Sequence, residues 1–254
     1  MDKNKVPNSS SGSDQLKKYA KDFSEVYKSE KEKRKELEAA HKQLMEYAEA
    51  LNNTIAELKD KNKELKDAYL DTVLRLGIAA EYKDKDTGDH IARMSNFSVF
   101  IAKKIGLPDK NVQNILFASP MHDVGKIGIP DSILLKKGKL TNKEFEIIKT
   151  HCTLGARLLS NSNSEILQLA ESIALTHHEK WNGKGYPQGL SGEEIPIEGR
   201  ITALADVFDA LTSKRHYKEP YPVEIACNII REERGKHFDP ELVDVFLDNL
   251  NEII

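Results

Sequence analysis

Apolar residues along the first third of the chain keep a seven-residue spacing. Leu37, Leu44, Leu51, Leu58 and Leu65 fall seven apart, and four residues after each come His41, Ala48, Ile55, Asn62 and Tyr69. The same phase reaches back to Leu16, Ala20, Phe23 and Tyr27 and forward to Leu76, with no Gly or Pro between Asp14 and Gly77. An average apolar period of about 3.5 residues predicts a left-handed coiled coil with the leucines at position d. Leu at d and a buried Asn62 at a favour a parallel two-stranded pairing. Glu30 and Arg34 fall on the seam and predict a loose stretch there. Ahead of the coil, residues 1–13 (MDKNKVPNSSSGS) are polar and are expected to form a disordered tail.

The heptad phase passes unbroken into Leu70–Glu81, the first helix of a globular part. Amphipathic patterns predict further helices at Ile91–Ile105, Asn111–Met121, Ile166–Thr176, Ile197–Thr212, Pro222–Arg234 and Asp239–Glu252. Thr141-Asn-Lys-Glu144 matches a capping box and opens another helix that runs through Leu159. A Gly/Pro-rich loop occupies Asn182–Pro196. Convincing alternation of apolar and polar residues is absent, so the expected fold is all-α. Residues 14–69 are read as a coiled-coil helix and residues 70–254 as a helical bundle.

Composition adjusts this picture in three ways. Of 254 residues, 39% are hydrophobic and 31% charged, a polar balance that fits a solvated helical extension. The net charge of −3 provides no global basic field, so nucleic acid is not an expected partner. Cys152 and Cys227 show no CxxC spacing, no leader sequence is visible, and no apolar run approaches the ~18 residues of a membrane span. A reducing, cytoplasmic setting without a membrane span is expected.

The candidate chemistry lies in the histidines and a few carboxylates. Of eight histidines, His41, His216 and His237 sit on the coil or in polar turns and need no special role. The other five, His90, His122, His151, His177 and His178, each lie near an end of a predicted helix, where one face of a bundle can bring them together. Asp86 precedes His90 by four residues and Asp123 adjoins His122. Asp206 lies in the apolar helix Ala203-Leu-Ala-Asp206-Val-Phe-Asp209-Ala-Leu, where a carboxylate needs a partner and a cation is the simplest one. Each residue alone is more often structural, as a cap or an ion-pair member. The set together suits Fe, Mn, Zn or Ni better than Mg or Ca alone. No HExxH occurs, which disfavours a zincin protease.

Four ordered stretches carry a resemblance. They are Asp86-Thr-Gly-Asp-His90, His122-Asp-Val-Gly-Lys-Ile-Gly-Ile-Pro130, His177-His178-Glu-Lys-Trp-Asn-Gly183-Lys-Gly185-Tyr186-Pro187 and Asp206-Val-Phe-Asp-Ala-Leu-Thr-Ser213. Residues from about 70 to 250 resemble the HD superfamily of metal-dependent phosphohydrolases, and the Gly185-Tyr186-Pro187 stretch resembles its HD-GYP branch. The resemblance does not cover the coil. It implies an HD-type helical bundle and a phosphodiesterase that hydrolyses cyclic di-GMP, with linear pGpG or GMP as the final product. Paired metals suit this chemistry, because a phosphodiester is a poor and anionic electrophile.

By the same resemblance, His90, His122, Asp123 and Asp206 hold one ion, and Asp123 bridges to a second held by His151, His177 and His178. Asp86 stands where relatives with a third ion carry an acidic ligand. Two or three divalent ions are therefore implied, iron or manganese first, with zinc, nickel or magnesium as alternatives. Lys126, three residues after Asp123, is expected to stabilise developing charge or protonate the leaving oxygen. Arg215 and Lys218 resemble a pair that clamps substrate phosphate. Tyr186 is expected to touch guanine or phosphate, and Asp209 to orient a ligand from behind. His216 stands where many relatives have Pro, a departure not expected to abolish binding. The implied partners are cyclic di-GMP, a second copy of the chain through the coil, and diguanylate cyclases or sensor proteins. Two alternatives stay open: an HD phosphohydrolase for another nucleotide, such as a hybrid cyclic dinucleotide, and a catalytically silent module that senses the dinucleotide and signals through the coil.

Overall fold

The structure is a computed structural model and describes residues 10–84, 88–213 and 219–253. The chain divides between Lys66 and Asp67 into two units. In the first, the chain is one helix. Helix α1 runs from Ser10 to Glu81, so residues 10–13 of the expected tail are helical, and residues 1–9 lie outside the described residues. Freedom from Gly and Pro between Asp14 and Gly77 removes the residues that cost a helix most. Exposed pairs such as Arg34–Glu38 at 3.2 Å and Lys61–Glu64 at 2.9 Å line its surface. Each contributes only a few tenths of a kcal/mol. The leucines at 37, 44, 51, 58 and 65 are 58–71% exposed, so the apolar seam faces water in the single chain.

The second unit is a bundle containing the last turns of α1. Its other helices are α2 (Gly88–Lys104), α3 (Asp109–Ala118), α4 (Asp131–Leu134), α5 (Asn142–Leu159), α6 (Glu165–Thr176), α7 (Ile197–Thr212), α8 (Val223–Glu232) and α9 (Pro240–Asp248). No strand occurs among the described residues, and an all-α fold is what the pattern predicted. The helix expected at Asn111–Met121 is α3 followed by a 3-10 turn, Ser119–Met121, with Pro120 at its start. Proline cannot supply the N–H that an α-helix needs there. The capping box at α5 forms as predicted: the Glu144 N–H donates to Thr141 Oγ1 at 3.3 Å, and the Thr141 N–H donates to Glu144 Oε2 at 2.7 Å.

Two apolar clusters hold the bundle. One joins Met94 and Ile101 of α2 to Leu204, Ala205 and Phe208 of α7 and to Phe246 of α9. The other joins Val73 and Ala80 of α1 to Met121, Val124, and Ile173 of α6. Met94 follows His90 by one turn, Leu204 and Ala205 precede Asp206, and Met121 and Val124 flank His122 and Asp123. The polar side chains of interest are therefore anchored from both clusters.

Candidate metal centre

Five segments carry the imidazoles and carboxylates together. His90 lies in the first turn of α2, and His122 and Asp123 lie between two 3-10 turns, Ser119–Met121 and Val124–Gly128. His177 caps the C-terminus of α6, and His178 follows it. Asp206 projects from α7. His151 departs from expectation: it sits in the middle of α5, not near an end, because the Thr141 cap starts that helix nearly three turns earlier. The turn bearing Asp123 can press against α5 because residue 125 is glycine. A Cβ on Gly125 would collide with the His151 carbonyl.

One nitrogen of each of four rings is committed. His90 Nδ1 is 2.6 Å from Asp209 Oδ2, His122 Nδ1 is 3.0 Å from the Ser119 carbonyl, His151 Nδ1 is 2.7 Å from the Ile148 carbonyl, and His177 Nδ1 is 3.0 Å from the Ile173 carbonyl. These oxygens can only accept, so the protons are assigned to Nδ1 and the Nε2 lone pairs are left for the interior. All four rings turn Nε2 toward carboxylate. His151 Nε2 and His177 Nε2 lie 3.1 and 3.6 Å from Asp123 Oδ1, His122 Nε2 lies 3.2 Å from Asp123 Oδ2, and His90 Nε2 lies 3.5 Å from Asp206 Oδ1.

The donor atoms form two groups. Asp123, His151, His177 and His178 offer atoms within 4.8 Å of one another, and so do Glu81, His90 and His122. His122 Nε2 and Asp123 Oδ1 are buried and find no well-formed hydrogen bond, although His122 Nε2 lies 3.2 Å from Asp123 Oδ2 and His151 Nε2 3.1 Å from Asp123 Oδ1. Buried polar atoms left this way are costly unless something else binds them. Imidazole nitrogens and carboxylate oxygens in this arrangement fit a divalent transition metal.

Burial and charge set the protonation. Burial pulls the His122 ring down, but Asp123, Asp206 and Glu81 outweigh it and raise its pKa to about 9, so this ring carries a second proton on Nε2 at neutral pH that a metal ion would have to displace. Burial pushes the Asp123 carboxyl up, yet Lys126 and His122 hold it well below the usual carboxylate range. Burial keeps His177 and His178 below the ordinary histidine value, with His177 adding to the shift of His178. Asp209 is held low against its burial by His90 and by Arg93, whose guanidinium also donates to it. Lys126 Nζ stands 2.7 Å from Asp123 Oδ2.

Tyr186 borders the centre, its ring 4.8 Å from that of His178. Asp86, Arg215 and Lys218 lie outside the described residues. Two buried carboxylates escaped the sequence reading. Glu81, 1% exposed at the end of α1, has neither oxygen hydrogen-bonded and lies 3.9 Å from Lys126 Nζ. Its signal was present: a lone carboxylate closing the apolar run Leu76-Gly-Ile-Ala-Ala80, the same reasoning that singled out Asp206. Glu179, 2% exposed, accepts the N–H groups of Gln188, Gly189 and Leu190 and so fastens the loop that carries Tyr186.

The profile of the family described as "HD domain" matches residues 77–242, the stretch that contains all the ligands described above. The chain belongs to the HD domain family. HD domains are metal-dependent phosphohydrolases, which agrees with the donor chemistry of this centre. A protein of Thermotoga maritima named "Cyclic di-GMP phosphodiesterase" is 53% identical over 178 residues, covering 70% of this chain and 48% of that protein. A Vibrio cholerae protein named "3'3'-cGAMP-specific phosphodiesterase 2" is 45% identical over 184 residues, covering 72% of this chain and 35% of that protein. The chain thus spans less than half the length of these curated relatives. The crystal structure of a cyclic GMP-AMP specific phosphodiesterase of V. cholerae, V-cGAP3, superposes with a TM-score of 0.54 at 22% identity, covering 72% of this chain and 48% of that one. That likeness shows the HD fold. No helix among the described residues is long and apolar enough to cross a membrane.

Proposed function

We propose that residues 70–254 are the catalytic domain of a metal-dependent phosphodiesterase that hydrolyses cyclic di-GMP, with linear pGpG or GMP as the final product. The observation that carries this reading is the set of four imidazoles whose Nδ1 atoms are tied off while their Nε2 atoms turn toward Asp123 and Asp206. The name of the T. maritima relative supports the substrate. A second reading, hydrolysis of a hybrid cyclic GMP-AMP, draws support from the V. cholerae relative.

In this reading His90, His122, Asp123 and Asp206 hold one ion, with Glu81 on the same side. Asp123, His151, His177 and His178 would hold another, with Asp123 common to both sets. Asp86 is the candidate ligand of a third. The mixed donors favour iron or manganese over magnesium. When bound, the ions supply Lewis acidity toward the phosphodiester and lower the pKa of water. Asp209 holds the His90 ring with Nε2 inward, as carboxylates behind ligating histidines do. As water adds to phosphorus and the P–O bond breaks, the leaving oxygen needs a proton, and Lys126 Nζ is the donor assigned to it. Arg215 and Lys218 clamp phosphate, and Tyr186 contacts the bound dinucleotide. Residues 14–69 form a parallel homodimeric coil that delivers a signal from sensor proteins or diguanylate cyclases.

The test is metal analysis of anaerobically prepared protein followed by chromatography of the products formed from cyclic di-GMP and from 3'3'-cGAMP. Stoichiometric iron or manganese with release of pGpG supports the reading. Tight binding of cyclic di-GMP without turnover in the metal-loaded protein overturns it in favour of a sensing module. Exclusive cleavage of the hybrid dinucleotide selects the second reading.

A further inference from the structure

Lys83 stands behind the turn that carries Lys126. It lies in the 3-10 turn Tyr82–Asp84, directly after α1. Its ammonium donates to the Ile127 carbonyl at 2.7 Å and to the Ile129 carbonyl at 2.6 Å, and it lies 3.4 Å from Asp131 Oδ1. The side chain is only 27% exposed. A surface lysine usually keeps its ammonium in water, and holding so long a side chain in one place costs entropy. Here two of its three donors go to backbone oxygens 44 and 46 residues downstream.

Those two carbonyls lie on the outgoing half of the Lys126 turn. The incoming half is held by packing: Val124 is buried in the cluster with Val73 and Ala80 of α1, and a Cβ on Gly125 would collide with the His151 carbonyl. Within the turn, the Lys126 N–H donates to the Asp123 carbonyl at 2.9 Å and the Ile129 N–H to the Lys126 carbonyl at 3.0 Å. Beyond Lys126, Ile127 is 47% exposed and its side chain anchors little; Ile129 is buried, and the carbonyls of both are tied to Lys83. Lys83 is itself fixed from behind. A Cβ on Gly77 would strike the Pro120 carbonyl, so α1 ends hard against the segment that leads to His122. Two residues before Lys83, Glu81 lies 3.9 Å from Lys126 Nζ. The end of α1 therefore meets both the ammonium of Lys126 and the backbone just beyond it.

We propose that Lys83 is a positioning residue: by gripping the Ile127 and Ile129 carbonyls it sets where Lys126 Nζ stands relative to the leaving oxygen. The proposal rests on the reading of this chain as a phosphodiesterase with Lys126 as proton donor. A misplaced donor matters only where the leaving oxygen needs its proton. The sugar alkoxide of a dinucleotide needs one, whereas p-nitrophenolate is stable enough to leave without it. The experiment measures kcat and KM of metal-loaded protein on cyclic di-GMP and on bis(p-nitrophenyl) phosphate, with metal content determined on the same samples. Lys83→Met should lower kcat on cyclic di-GMP about 10- to 100-fold, the cost of a displacement near 1 Å, and leave KM, metal content and hydrolysis of the nitrophenyl ester near wild type. Lys83→Arg, whose forked donors also reach two carbonyls, should restore most of the loss. In a Lys126→Met background, Lys83→Met should cost almost nothing further, because no donor is left to place. Lys83→Gln, polar but too short to bridge both carbonyls, replaces the methionine variant if that one does not fold, with the same losses expected. Equal losses on the two esters, an additive loss in the double variant, or no loss at all would overturn the positioning role and leave Lys83 a brace of the fold. The functional reading fails by different results. Wild type that cleaves the nitrophenyl ester but no cyclic dinucleotide, or Lys126→Met that keeps the wild-type kcat on cyclic di-GMP, overturns the donor assignment and the role of Lys83 with it.

Discussion

His151 Nε2 lies 3.4 Å from His177 Nε2, and Nδ1 of each ring is already given to a backbone carbonyl. A hydrogen bond between these nitrogens would need an extra proton on one ring, and burial opposes charge on His177. A bound cation resolves the conflict by taking both lone pairs.

Metal removal should therefore destabilise the bundle as well as stop turnover. A ligand that binds the folded state alone contributes about 2.7 kcal/mol at a hundredfold excess over its Kd. Chelated protein should melt lower in a calorimeter, and Mn²⁺ or Fe²⁺ added without oxygen should restore the transition. An identical melting curve with and without metal would remove the His151–His177 pair from the metal-binding set.

Asp209 offers a test of orientation apart from ligation. It contacts no donor nitrogen that faces the centre, yet it fixes the His90 ring through Nδ1 at 2.6 Å. Asp209→Asn should weaken retention of one ion about 10- to 100-fold, read by competition with a chromophoric chelator, and leave helix content by circular dichroism unchanged. Unaltered metal affinity would reduce Asp209 to a partner of Arg93.

Much of this was legible in the sequence, for reasons that differ between residues. The Thr141–Glu144 box is a local device, and it formed as its spacing required. Asp206 and Asp209 were conspicuous as carboxylates on an apolar helix. His151 was misplaced because its importance comes from the close approach of Gly125 to α5, a contact between segments distant in sequence. Glu179 went unnoticed for a similar reason: its three partners lie nine to eleven residues downstream, and only the folded loop brings their N–H groups together.

Glu81 should show a trade-off between stability and activity. Its carboxylate is buried with neither oxygen hydrogen-bonded, and burial raises its pKa. Lys126 and bound ions are what make that charge tolerable. In metal-stripped protein, Glu81→Gln should melt a few degrees higher than wild type, since each kcal/mol is worth about 2–4 °C in a domain of this size. In loaded protein the same change should lower kcat, because Lys126 loses a counter-charge. A lower melting temperature in the stripped variant would show that Glu81 is satisfied without the ions.

Glu144 carries a pH signature. The hydrogen bond from Lys136 and those from Thr141 pull its pKa from the ordinary 4.5 to about 2. The folded-state value is the lower one, so its contribution is complete above 4.5 and is lost as pH falls toward 2. A glutamine can still complete the capping box, which isolates the charge. Urea denaturation should find Glu144→Gln less stable than wild type at neutral pH, with the gap closing in acid. A gap that persists at the lowest pH would assign the loss to the cap and not to the Lys136 pairing.

The seam of α1 leads to the last prediction. Leu37, Leu44, Leu51, Leu58 and Leu65 are 58–71% exposed along one stripe, more apolar surface than a lone helix can leave in water at no cost. Fully burying one leucine contributes about 1.5–3 kcal/mol before ordering is counted, so five such layers favour a second copy of the same helix. The heptad phase permits that pairing in register, and Asn62 at a seam position then meets its own mate, whereas an antiparallel partner would generally face it with an apolar layer. Sedimentation equilibrium at micromolar concentration should give a dimer for wild type and a monomer for the Leu51→Glu, Leu58→Glu double variant. Asn62→Cys should form a disulfide-linked dimer under mild oxidation. A wild-type monomer would defeat the pairing. A dimer in which Asn62→Cys never cross-links would keep the pairing but defeat its parallel register, and with it the expectation that both metal centres lie at the same end of the coil.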